Sequence, residues 1–242
     1  MSRLRRGGLV AAAVIVFTML VGSGQALADG PKERDIWYIF VARDQPYGHF
    51  HVTVRRQEDG TFRYDVDSRL LMDFLGQKQE ITEKATYVVT AEYAPVSLVS
   101  ESTSHSGSGR LRGRVDGEQF VLGYERAGLR RTASIDLSER PIFHVCLPDW
   151  LADQPEDVTK ATRRVLNDSS LCLEDAVAVR VRGGDSIAWS VDCGVELGQQ
   201  GQIRFDADGI QHEADYRVPP FYYRRGTAEE AGKVTHRKLD RR

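Results

Sequence analysis

From Asp35 onward apolar and polar residues alternate with period two, broken by turn residues every eight to fifteen positions. This pattern predicts an antiparallel sheet with one face buried and one wet. The clearest strand is Phe62 to Phe74: Phe62, Tyr64, Val66, Leu70, Met72 and Phe74 share one face, and Arg63, Asp65, Asp67, Arg69 and Asp73 the other. Before it, Ile36 to Val41 is apolar on both faces. After Pro46-Tyr47-Gly48 comes His49 to Arg56, with Phe50, Val52 and Val54 inward, and Asp59-Gly60 closes a hairpin onto the long strand. The chain returns through Ile81, Ala85, Tyr87 and Val89 to a break at Pro95, so four strands meander in sequence order.

The middle of the chain repeats this grammar in Val96 to Ser102, Leu111 to Val115, Phe120 to Tyr124 and Arg130 to Ile135, with a Ser/Gly-rich link at Ser106 to Gly109. Pro141 to Leu151 is largely apolar without alternation and reads as a crossover, irregular or a single helical turn. Strands resume at Leu171 to Val181, Ile187 to Val195, Gln202 to Phe205 and Ile210 to Tyr216. The expected fold is mainly β: a single large curved antiparallel sheet, half-barrel-like, with one short helical or irregular crossover. An open sheet of about ten strands should curl, and its concave apolar face must then be filled by a helix, a ligand or a partner.

The first residues change the picture of where this sheet works. Arg3, Arg5 and Arg6 precede an apolar run from Leu9 to Val21, followed by Gly22-Ser23-Gly24 and Ala26-Leu27-Ala28. This is the layout of a signal peptide cleaved after Ala28. Its apolar run is shorter than the roughly twenty residues that span a bilayer, so no stable membrane span is expected after cleavage. The expected organisation is a signal peptide at 1–28, an antiparallel β domain at 29–225 and a charged, solvated or disordered tail at 226–242, in a periplasmic or secreted protein. With three of the 33 basic residues and none of the 35 acidic ones in the leader, the mature chain carries a net charge of −5. That charge offers nothing to nucleic acid.

Candidate chemistry is sparse. The three cysteines are Cys146, Cys172 and Cys193, an odd count in a disulfide-permissive compartment, with no CxxC and no zinc spacing. If Val177, Val179 and Val181 share the core face with Ile187, Trp189 and Val191, Cys193 points inward and Cys172 outward, and opposite faces cannot be bridged unless a bulge intervenes. His144-x-Cys146 would share a side in a strand, which admits a thiol enzyme, but no third group orients the pair. His49 and His51 fall together opposite Phe50, Val52 and Val54, where they could share a metal or stand as exposed polar residues. Asp206-Ala207-Asp208-Gly209 begins like a calcium loop but has Ile210 at the fifth position and Arg217 at the twelfth, and so reads as a turn. The aromatics Phe221-Tyr222-Tyr223, followed by Arg224 and Arg225, either pack over the sheet edge or present a binding surface. No catalytic, cofactor-binding or metal residue is assigned.

Several segments together resemble a known region: Asp35 to Val54, Ser68 to Val89, Leu111 to Leu122, Ile203 to Tyr216 and Thr227 to Ala231. They are similar to the non-catalytic N-terminal β region that precedes transglutaminase-like domains in bacterial exported proteins. The resemblance implies a long antiparallel sheet like the half-barrels of periplasmic lipoprotein carriers. It carries over no catalytic residue, because the Cys-His-Asp triad belongs to the downstream domain. The expected function is therefore a non-enzymatic binding module of the envelope, for a hydrophobic or lipid-like ligand or a protein partner. The alternative is an accessory protein beside a transglutaminase-like enzyme, and a Cys-dependent enzyme ranks last.

Overall fold

The computed structural model describes residues 30–42, 45–74, 77–168, 171–183, 186–193, 199–206, 208–217 and 220–234. The leader and residues 235–242 lie outside the described residues, and with them the expectations of export, cleavage and a disordered chain end. Two runs of strands make the fold. The first comprises β1 (Arg34–Ala42), β2 (Gln45–Arg56), β3 (Phe62–Phe74), β4 (Gln77–Val89), β5 (Pro95–Ser104), β6 (Gly107–Asp116), β7 (Gln119–Arg126) and β8 (Leu129–Asp136). The second comprises β9 (Ile142–Phe143), β10 (Lys160–Asn167), β11 (Cys172–Gly183), β12 (Ser186–Cys193), β13 (Gln199–Phe205), β14 (Gln211–Arg217) and β15 (Pro220–Gly226).

All fifteen belong to one sheet in the order β8-β7-β6-β5-β4-β3-β2-β1-β15-β14-β13-β12-β11-β10-β9. Pairing is antiparallel throughout except between β9 and β10. The first and last strands thus meet in the middle, Trp37 opposite Gly226 and Val41 opposite Tyr222. The expected mainly β, single, curved antiparallel sheet is the fold observed.

The connectivity forces the curvature. β8 and β9 are the two edges, yet β8 ends at Asp136 and β9 begins at Ile142. Six residue steps reach at most about 20 Å, whereas a flat sheet of this size would be about 67 Å wide at ~4.8 Å per strand. The sheet must roll until its edges nearly meet, and β8 does come up to β11. A 3-10 turn at Leu137–Glu139 makes the crossing, N-capped by Asp136 and tied to β10 by an ion pair from Arg164 to Glu139 at 2.9 Å.

The crossover then turns into the bowl and plugs part of it. After β9 come a 3-10 turn at His144–Cys146 and helix α1 (Leu147–Ala152), which Pro148 starts in its first turn. Ile142, Phe143, Cys146, Leu147 and Leu151 are fully buried. Phe143 fits edge-on between Tyr87 (5.1 Å) and Phe120 (5.5 Å). Gly113 makes room for this packing, since a Cβ there would lie 2.5 Å from the Phe120 ring. The predicted crossover is therefore the plug of the sheet.

Three expectations need correction. β10 and β15 were not expected as strands; Phe221-Tyr222-Tyr223 lies inside β15, hydrogen-bonded to β1 and β14 at the centre of the sheet, and not over an edge. On β11 the inward residues are Ala176 and Ala178, while Val179 is exposed, so the valines face away from the core shared by Trp189 and Val191. The start of the expected disordered tail is ordered: Thr227 and Glu230 form a capping box for helix α2 (Ala228–Gly232). Ala231 packs on Ile39 and Val41, on the convex side of β1. This explains why β1 is apolar on both faces. Gly226 permits the approach, because a Cβ there would meet Ile39 at 2.5 Å.

Candidate functional site

Where the plug stops, a cavity of about 480 Å³ remains between it and the inner faces of β1–β4, β13, β14 and β15. The size is that of a small-molecule site, about 300–1,000 Å³. Inward parity supplies its walls: Phe50 and Val52 on β2, and Val66, Ser68 and Leu70 on β3. His144, Val145, Leu147 and Pro148 close it on the plug side.

One side is aromatic. Phe50 stacks on Tyr38 at 4.6 Å and meets Tyr223 edge-on at 5.0 Å and Phe40 at 5.0 Å. The tyrosine hydroxyls are already engaged: Tyr38 Oη donates to the Gln211 carbonyl at 3.0 Å, and Gln211 Nε2 donates to Tyr223 Oη at 2.6 Å. Burial pushes the Tyr47 phenol up to about 12, so it stays neutral. The surface presented here is apolar ring.

Another side is acidic. Tyr87 Oη donates to Asp168, in the turn after β10, at 2.6 Å, and Ser100 Oγ donates to Glu83 on β4 at 2.7 Å. Burial raises the Glu83 carboxyl above its ordinary value, the charge of Asp168 raises it further, and the Ser100 hydrogen bond only partly opposes them. Neither carboxyl makes an ion pair among the described residues.

A third group locks the plug in place. Arg34 on β1 grips Asp149 of α1 through two nitrogens at 2.7 and 2.9 Å, and Tyr64 Oη donates to the same carboxylate at 2.5 Å. Both ionic side chains are only 6% exposed. Burial disfavours the Arg34 charge, but Asp149 more than offsets it and the guanidinium stays firmly protonated. Tyr93 Oη, donating to Asp153, ties down the end of α1.

The residues singled out in the sequence do not assemble into one site. His144 and Cys146 sit in a 3-10 turn, not a strand, so they do not share a side; His144 lines the cavity and Cys146 is fully buried behind it. Burial raises the Cys146 thiol well above its usual value and the nearby Asp149 adds to this, the opposite of what a nucleophile needs. His49 and His51 lie on the convex face: His51 stacks on Trp37 at 4.3 Å and bonds Asp35 at 2.5 Å. Burial lowers the His49 imidazole, with Arg69 adding to the effect. Among the described residues no group of three or more His, Cys, Asp or Glu is placed to hold a metal. In the register of β11 and β12 Cys193 stands opposite Ala176, four positions along from Cys172. Asp206 accepts the backbone N–H groups of Asp208 and Ile210 and pairs with Arg225 at 2.8 Å, which makes a turn. Arg224 pairs with Glu230 of α2.

Sequence reasoning missed Arg34, Glu83 and Asp168. Glu83 had a legible signal: it is a carboxylate on the same parity as Ile81, Ala85 and Tyr87, the buried face of β4. Asp168 had none, because only the roll of the sheet brings the turn after β10 over β4.

No family model matches the chain, and no curated protein matches it. Its fold is similar to that of a solved β-barrel-like protein of a domain of unknown function, DUF1849, from Brucella abortus. The TM-score is 0.58 at 10% identity, over 81% of this chain and 95% of that one. A DUF1089 family protein from Pseudomonas aeruginosa aligns with a TM-score of 0.45 at 13% identity, over 73% of this chain and 92% of that one. The first of these likenesses establishes a β-barrel-like fold. Among the described residues no helix is long and apolar enough to cross a membrane.

Proposed function

We propose that this chain is an exported, non-catalytic binding module of the cell envelope whose concave face holds a hydrophobic, lipid-like ligand. The observation that carries this reading is the apolar cavity of about 480 Å³ left beside a plug that is otherwise closely packed. Protein interiors ordinarily close such space, and here α1 is pinned by a buried ion pair that stops it from collapsing inward. The basic and apolar leader supports export, and the terminal strand β8, paired in the sheet only with β7, offers an edge to an envelope partner such as a transglutaminase-like enzyme.

Native mass spectrometry and solvent extraction of the purified protein test this reading. A bound apolar molecule is expected, and Val66→Trp, which projects an indole into the cavity, should weaken its retention while leaving the circular dichroism spectrum unchanged. A protein that emerges empty and binds no hydrophobic probe sinks the proposal.

A further inference from the structure

The lining of the cavity is chemically lopsided, and the imbalance narrows the ligand. Its charged members are Arg34, Glu83 and Asp168, with His144 as a further titratable neighbour. Arg34 is neutralised within the protein by Asp149 at 2.7 Å. Among the described residues, Glu83 and Asp168 receive only hydroxyl hydrogen bonds, from Ser100 and Tyr87. They come from two separate elements, β4 and the turn after β10, and the charge of Asp168 adds to the burial that raises the Glu83 carboxyl. Carboxylates withdrawn from water without a cation are costly, and a cation brought to them is held by charge-assisted hydrogen bonds. Beside Glu83 the wall continues through Val66 and Leu70 on the neighbouring strand to Phe50 and Phe40, where hydrocarbon is at home and aromatic faces tolerate positive charge. The Arg34 side chain is 6% exposed, and among the described residues its Nε has no hydrogen-bond partner.

We propose that the cavity takes a single-chain amphiphile with a cationic amine head, the amine lying against Glu83 and Asp168 and the chain among Phe40, Phe50, Val66 and Leu70. The volume argues for one chain, since a two-chain lipid would not fit inside about 480 Å³. This assignment rests on the reading of the concave face as a hydrophobic site.

Isothermal titration of the purified protein with dodecylamine, dodecanol and dodecanoate at pH 7.5, below their micelle concentrations, tests both levels separately. Dodecylamine should bind about tenfold more tightly than dodecanol and dodecanoate more weakly than either, and Glu83→Gln with Asp168→Asn should erase the amine's advantage while moving the dodecanol Kd by less than about twofold. Equal affinity for amine and alcohol in the unaltered protein overturns the amine assignment and leaves the hydrophobic site standing. So does an amine preference that survives in the double variant. Failure of dodecanol to bind at all overturns the site itself. The comparison among three ligands uses the natural chain, so it holds even if the double variant does not fold.

Discussion

The two sides of the plug face the same sheet and are packed very differently. On the β4–β8 side, Leu98, Phe120, Leu122 and Phe143 are fully buried, and the Phe143 ring meets Tyr87 at 5.1 Å and Phe120 at 5.5 Å. On the β1–β3 side, Phe40, Phe50, Val66 and Leu70 are only partly buried and look into a cavity. Both sides have the inward apolar parity of a core. The difference lies in the supply of filler: one two-residue strand, a 3-10 turn and a six-residue helix serve the interior of a fifteen-stranded sheet. An apolar sheet face is thus not evidence of a closed core, and space is left wherever the chain provides nothing to cover it.

The sharpest way to break this comparison is to truncate one ring on each side. Phe143→Ala should lower unfolding stability by about 3–5 kcal/mol, and Phe50→Ala by only about 1–2, because the second site is already open. Urea denaturation of the two variants reads the difference, and equal losses would mean that the cavity side is as tightly packed as the other. Next in size is the lock between the two halves. Asp149→Asn leaves Arg34 charged and buried, and should cost about 3 kcal/mol. A denaturation midpoint unchanged from the natural protein would show that Asp149 does not hold the plug.

The smallest effect concerns Glu83. Its carboxyl is raised in the folded state, so folding is favoured while it is protonated, and this contribution is lost as pH rises from the ordinary value near 4.5 through the raised one. Glu83→Gln should therefore melt at a higher temperature than the natural protein at pH 8 and at nearly the same temperature at pH 4. A gain that is equal at both values would assign the effect to packing and not to charge.

Legibility followed the regularity of each element. β3 was read with its full bounds because all but Ser68 and Leu71 of its thirteen residues keep the alternation. β10 was missed because Arg163-Arg164 and Val165-Leu166 interrupt the alternation, and parallel pairing with β9 buries consecutive residues there. β15 was missed because its aromatic run and two arginines look like the start of a polar tail; they become a central strand only when β1 pairs with them. The face of β11 was misread because outward-facing valines outweighed small buried alanines in the pattern, and the register with β12 decides which of the two faces inward.

The sequence by itself determined that this protein is a curved antiparallel sheet, since period-two patterning and turn residues act over a few neighbouring positions. It also marked Pro141 to Leu151 as the segment that departs from the sheet. Only the tertiary structure decided that the sheet rolls until β8 reaches β11, that this segment enters the bowl, and that Arg34, Glu83 and Asp168 come to one cavity. Those outcomes depend on the short link between β8 and β9 acting on the whole width of the sheet, a long-range constraint that no local window of residues contains.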